Sequence, residues 1–177
     1  VDGFGTVVTG TLIEGAVTVG DGAEILPGGT VCRVRNLQVH GKDVETAYAG
    51  QRVAINLAGV KKSDLARGDT IACPGSVRTA LMLDVRLQNL RESRRTILNG
   101  SQVHFFHGSS VRLCKVVLLD RDALRPGERC YAQLRMTEEI SARPGDRFVV
   151  RFYSPLETIG GGVVLDDSPM KHKRSDP

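Results

Sequence analysis

The sequence predicts an all-β protein of sandwich or barrel type. Glycine reaches 20 of 177 residues while Trp is absent. Turn signals recur roughly every ten residues, and segments with a helical period are scarce. At 177 residues the chain can bury two small cores or one of ordinary size without covalent staples.

The elements follow in order. Val1 is not Met and already stands inside an apparent strand, so we expect a piece of a longer protein whose entering strand is cut short. The run Gly3 to Gly10 resembles a phosphate loop superficially. It lacks the Lys-Ser/Thr pair and the helix such a loop requires, and Thr6, Val7, Val8 and Thr9 are β-formers. It reads as a glycine-punctuated strand in which Gly5 lets the backbone approach a ligand closely; a purely structural bend accounts for it equally well. The one helical candidate is Lys61 to Arg67, short enough to be a single turn.

Four turn units, Gly20-Asp21, Gly68-Asp69, Gly127-Glu128 and Gly145-Asp146, each precede an apolar run and so start strands. In Arg125-Pro126-Gly127-Glu128 and Arg143-Pro144-Gly145-Asp146, Pro presets φ and Gly accepts a positive φ, the chemistry of a type II turn. From Val77 to Leu87, the odd positions Val77, Thr79, Leu81, Leu83, Val85 and Leu87 share one face, with Arg78, Asp84 and Arg86 on the other. Pro74-Gly75 precedes this strand and marks a domain boundary. We expect domains over 1–75 and 76–167, then a basic linker or disordered tail over 168–177.

Composition excludes several classes. Cys32, Cys73, Cys114 and Cys130 form no C-x-x-C pair and have no His close by in sequence, so they read as reduced thiols of a cytoplasmic protein rather than metal ligands. No apolar run of about 18 residues and no signal peptide occur, which argues against a membrane partner. The net charge of +4 is uneven. Residues 1–75 hold 7 Lys+Arg against 8 Asp+Glu, residues 76–177 hold 17 against 12, and the excess is mostly Arg. An Arg-rich half points to a polyanionic partner.

Motifs then sharpen the reading. G-F-G-T-V-V-T-G-T-L, V-G-D at Val19, V-R-N-L-Q-V-H-G-K at Val34, A-G-Q-R-V-A-I-N-L at Ala49 and R-G-D at Arg67 keep the order found in the second domain of elongation factor Tu relatives. The Q-V-H-G and G-Q-R-V-A-x-N-L forms resemble the SelB, selenocysteine-specific branch. The run from Arg147 to Asp166 is similar to the closing strands of that family's third domain, and Lys171-His172-Lys173-Arg174 to its exit toward a winged-helix region.

The resemblance implies two tandem antiparallel β-barrels that bind tRNA. The first would cradle the aminoacylated 3′ end and the second grip the acceptor and T stems. Arg52 stands where the Tu branch usually has Asn, and a guanidinium there suits a selenolate, anionic at neutral pH; an exposed strand-end Arg is the plain alternative. Gln38 and His40, two apart on one strand face, would meet the terminal adenosine by hydrogen bonding and stacking. In the second barrel, His104 and His107 lie on opposite faces of one strand, so at most one reaches RNA. Arg112, Arg147 and Arg151 suit phosphates, with 147 and 151 sharing a face, and an ordinary solvated face is equally consistent. Gly161 and Gly162 could admit a sugar-phosphate to backbone N–H groups, or mark a bulge.

No Ser nucleophile elbow and no acid-base or metal spacing occurs, so this chain is expected to have no catalysis and no cofactor of its own. The resemblance places GTP and Mg in a GTPase domain the chain lacks. Its partners would be selenocysteyl-tRNA, the ribosome and, through an absent C-terminal domain, an mRNA hairpin, with the protein expected to be a monomer. Barrels of another Tu-like translation factor, or a docking module that binds no RNA, are the competing readings.

Overall fold

A computed structural model describes residues 5–153 and 157–172. The chain divides into two compact units, Val1–Ser76 and Val77–Pro177.

The first unit contains β1 (Thr6–Thr11), β2 (Ala16–Thr18), β3 (Gly22–Leu26), β4 (Thr30–Val39), β5 (Lys42–Val44), β6 (Thr46–Tyr48), β7 (Arg52–Ala58) and β8 (Thr70–Ala72). Its main sheet runs β1-β7-β4-β3-β8, with β5 hairpinned on β4, and β2 and β6 form a separate ribbon. All pairings are antiparallel. The sheet curls because both pieces feed one core: Ile25, Val34, Leu37, Val53 and Leu57 come from the sheet, Val17 and Ala47 from the ribbon. The stretch expected to be helical forms only a 3-10 turn, Lys62–Asp64, closed by the Lys61 N–H donating to Asp64 Oδ2 at 3.1 Å.

The second unit contains β9 (Thr79–Asn89), β10 (Ile97–Leu98), β11 (Gln102–His107), β12 (Ser110–Leu118), β13 (Ala123–Leu124), β14 (Arg129–Ser141), β15 (Arg147–Phe152) and β16 (Glu157–Asp166). Six of these close a barrel in the order β11-β12-β14-β9-β16-β15, and β15 pairs back onto β11. Closure leaves no exposed edge. Leu83, Val85, Leu87, Val116 and Leu134 fill the interior, Phe105 stacks on Phe148 at 5.0 Å, and the β10-β13 ribbon adds Ile97 and Leu124. The alternation expected along β9 holds from Leu83 to Leu87 but breaks before it. Ala80 is buried and Leu81 is exposed, opposite a register shift in β14 between Arg135 and Ile140. A bulge in the partner turns the end of β9 over.

The recurring turn unit is a single geometry. In Thr18–Asp21, Ala66–Asp69, Arg125–Glu128 and Arg143–Asp146, the fourth residue's N–H donates to the first carbonyl and its carboxylate accepts the first residue's N–H. The third residue is glycine, with φ between 85° and 102°. This is the type II turn with its acid closing the ring, and its two hydrogen bonds explain why Asp or Glu follows the glycine.

The tail departs from expectation. Residues 168–172 run along the barrel rather than away from it. Gln133 Nε2 donates to the Met170 carbonyl at 2.9 Å, Arg135 Nη2 to the His172 carbonyl at 2.9 Å, and His172 Nε2 meets Asp84 Oδ2 at 2.6 Å. Polar partners on β9 and β14 hold a segment that has no apolar periodicity.

Candidate nucleic-acid interface

In the first unit, Arg52 opens β7, exposed and opposite Thr11 on β1. Among the described residues nothing ion-pairs or hydrogen-bonds its guanidinium. Val53 beside it is buried, so alternation along the strand sends Arg52 outward.

Gln38 and His40 do not share a strand face. β4 ends at Val39, which pairs with Lys42, leaving His40 and Gly41 as a two-residue hairpin loop with φ of 52° and 74°. Positive φ at both positions defines a type I′ turn. His40 therefore sits at the hairpin tip, where the turn twist and not the strand pleat aims its ring. Sequence reading extended the strand one residue too far because positive φ is uncommon at any non-glycine residue. Gln38 is exposed on β4, and its Nε2 donates to Asp43 Oδ1 at 2.8 Å, beside Asn36 Nδ2 at 3.0 Å. These two amides, Asn36 first, hold the Asp43 carboxyl below its ordinary range.

Gly5 precedes β1 with a φ of 71°, and a side chain there would strike Asn56 Oδ1 and the Leu57 carbonyl. The close approach it permits is to its own neighbour β7. Gly3 and Phe4 of the same motif lie outside the described residues, as does Val1.

In the second unit, His104 and His107 do face opposite ways. His104 is on the outer wall, 5.3 Å from the Tyr153 ring and 6.4 Å from Phe106, and opposite Arg151 of β15. The Arg151 guanidinium lies 5.5 Å over the Phe106 ring. Rings and a cation on one wall offer base stacking together with charge. Phe106 and Tyr153 were not read from the sequence as site residues. The signal was available in principle, since Phe106 falls two positions from His104 on a strand.

His107 lies on the inward register with Phe105, and its Nε2 meets Asp146 Oδ2 at 3.0 Å. Arg112 pairs across from Phe105 and so belongs to the inward register as well. It is largely buried at the side chain, 3.3 Å from Glu138, and it donates to the Val111 carbonyl at 3.0 Å. His107 and Arg112 are thus set apart from the His104 wall by the pleat. Arg147 and Arg151 share the outer face of β15, separated by a register shift after Val150, so they stand in different neighbourhoods.

Gly161 and Gly162 belong to β16, which is paired on both sides, with β15 and β9. Ladder bonds therefore engage their N–H groups. Added Cβ atoms would strike the carbonyls of Phe148 and Arg86, and Gly160 would meet that of Gln88. Glycine here permits close strand packing beside a bulge. Ser154 to Leu156, inside the closing-strand motif, and Lys173 to Pro177 lie outside the described residues.

Comparison with known proteins places this geometry. Residues 5–72 match the family model "Elongation factor Tu domain 2" and residues 84–171 match "Selenocysteine-specific elongation factor, beta-barrel domain". The selenocysteine-specific elongation factor of Desulfomicrobium baculatum is 42% identical over 97% of this chain and 27% of its own length. Elongation factor Tu 2 of Streptomyces avermitilis is 32% identical over 93% of this chain and 43% of its own. The crystal structure of translation elongation factor SelB from Methanococcus maripaludis, apo form, superposes with a TM-score of 0.85 at 24% identity, covering 96% of this chain and 41% of that one. The chain thus spans about a quarter to under half of the length of these relatives. With both units matched in order along almost the whole chain, the protein belongs to the elongation factor Tu-like translation factors, as the paired β-barrels of the selenocysteine-specific SelB branch.

Proposed function

We propose that the two barrels hold selenocysteyl-tRNA for delivery to the ribosome, in a factor whose GTP hydrolysis, with its Mg, belongs to a separate domain. The observation that carries this reading is Arg52. Its strand presents it at the surface with no ion-pair partner among the described residues, available to a selenolate. Gln38, His40 and Gly5 would line the approach to the terminal adenosine, His40 from its hairpin tip.

In the second unit, His104, Arg151, Phe106 and Tyr153 form the wall for the acceptor and T stems. His107, Arg112, Gly161 and Gly162 act behind that wall by shaping the barrel, and Arg147 belongs to a different neighbourhood. Recognition of an mRNA hairpin and residence in the cytoplasm accompany the same proposal. No helix among the described residues is long and apolar enough to cross a membrane.

The test is filter binding of selenocysteyl-tRNA and its seryl precursor to the protein extended through its GTPase domain. Selenocysteyl-tRNA should bind at least tenfold tighter, and Arg52→Gln should erase that preference while leaving seryl-tRNA binding unchanged. Equal affinity of the unaltered protein for both species would favour an ordinary Tu-like factor. No binding of either would leave a docking module.

A further inference from the structure

A second basic surface is centred on β9, on the far side of the closed barrel from His104, and reaches across β16 to the Arg147 end of β15. β9 is three strands from β11 in either direction around the six-stranded ring. Leu83, Val85 and Leu87 point inward from β9, so Arg86 and Gln88 point outward. Register carries two outward rows across this wall. In one, Arg147 pairs with Val163, Val163 with Arg86, and Arg86 with Tyr131. In the other, Val149 pairs with Gly161, Gly161 with Gln88, and Gln88 with Arg129.

Gly161 adds no side chain to the second row, and the wall is hollowed between its neighbours Gly162 and Val163 and the facing side chains of β9 and β14. A shallow hollow of about 150 Å³ is lined by Arg86, Gln88, Arg129, Gly162 and Val163. Gln88 Oε1 accepts from Arg129 Nε at 3.0 Å and steadies the guanidinium beside it. Arg86, Arg129, Arg147 and Tyr131 are exposed, and none of the three arginines has an ion pair among the described residues. The two rows contain no acid. The nearest acidic row pairs Asp84 with Asp166, and Asp84 is occupied by His172 and Gln133.

With strands about 4.8 Å apart, Arg147 and Arg86 are separated by about 10 Å at the backbone, and Arg129 lies one strand and two residues from Arg86. Three like charges at such spacing repel one another unless an anion joins them. All are Arg, whose planar fork meets phosphate with two parallel hydrogen bonds. They are spread along a convex wall, and the β16 amides beneath are engaged in ladders, so the arrangement does not converge on one small anion.

We propose that this wall binds the phosphodiester backbone of an RNA segment, with Arg147, Arg86 and Arg129 on neighbouring phosphates, the chain lying in the hollow between Val163 and Gln88, and Tyr131 against a sugar or base. The surface takes a different RNA segment from the one at His104 and does not depend on which aminoacyl group the first barrel prefers.

The test uses the intact chain and a fluorescein-labelled RNA duplex with no aminoacyl group, read by anisotropy across a salt series. Arg86→Gln, Arg129→Gln and Arg147→Gln together should weaken binding at least tenfold near physiological salt. The log-log salt dependence should become shallower by about 2 to 3, about one for each lost phosphate contact. The charge-matched control Lys62→Gln, Arg67→Gln and Arg78→Gln, also exposed, should stay within about twofold of the unaltered chain. Equal losses in both triple variants, or an unchanged slope in the first, would overturn the proposal. So would displacement of the RNA by stoichiometric pyrophosphate, which would mark a small-anion site. Melting temperatures of both variants report that the barrels remain folded.

Discussion

His107 Nε2 meets Asp146 Oδ2 at 3.0 Å, joining residues 39 apart in the chain, and the same oxygen accepts the Arg143 N–H at 2.9 Å. One carboxylate thus closes the turn that starts β15 and ties that turn to the end of β11. Asp146→Ala should lower stability by about 1 to 3 kcal/mol, because it orphans a backbone donor as well as the imidazole. His107→Ala should cost less, and a double-mutant cycle read by urea midpoints should show coupling of about 0.5 kcal/mol or more.

Asn89 is fully buried, and its Nδ2 donates to the carbonyls of Arg95 at 2.8 Å and Leu124 at 2.9 Å. It pins the segment before β10 and the strand β13 to the end of β9. Asn89→Leu should cost about 1 to 3 kcal/mol, since the buried Leu124 carbonyl loses this donor and the Arg95 carbonyl is left with Ser93 Oγ. Hydrogen exchange should show the segment around β10 and β13 opening before the rest of the barrel.

His40 occupies a left-handed position that glycine or asparagine adopts with less strain. His40→Asn should leave stability unchanged or raise it by up to about 1 kcal/mol. If the ring stacks on the terminal adenosine, the same variant should weaken tRNA binding. Stability and binding moving in opposite directions would separate the two roles.

The thiols give a pH dependence. Burial pushes Cys114 up from 9.0 to about 12, and burial followed by the nearby Asp120 pushes Cys130 up to about 11. A group that holds its proton more tightly when folded stabilises the fold fully below its unfolded value near 9. That contribution fades as pH rises toward the folded value. Cys114→Ala should therefore flatten the fall in stability between about pH 9 and pH 12 relative to the unaltered chain, as read by denaturant melts. At pH 8 the exposed Cys73 should react with a thiol reagent long before Cys114 or Cys130.

Much of this molecule was legible in its residues, for a local reason. Strand alternation and turn chemistry depend on neighbours two or three positions away. Arg143-Pro144-Gly145-Asp146 therefore announces its own turn, and Leu83 to Leu87 announces its buried face. The family motifs announced the tandem barrels. Tertiary structure alone decided what depends on partners far along the chain. Register placed Arg112 with Phe105 and brought Arg147, Arg86 and Arg129 from three strands onto one wall. A two-residue hairpin took His40 off its strand, and close-packed neighbours explained the glycines of β16. Pairing is a long-range choice made by the shared core, and a one-residue shift in it sends a side chain to the opposite face.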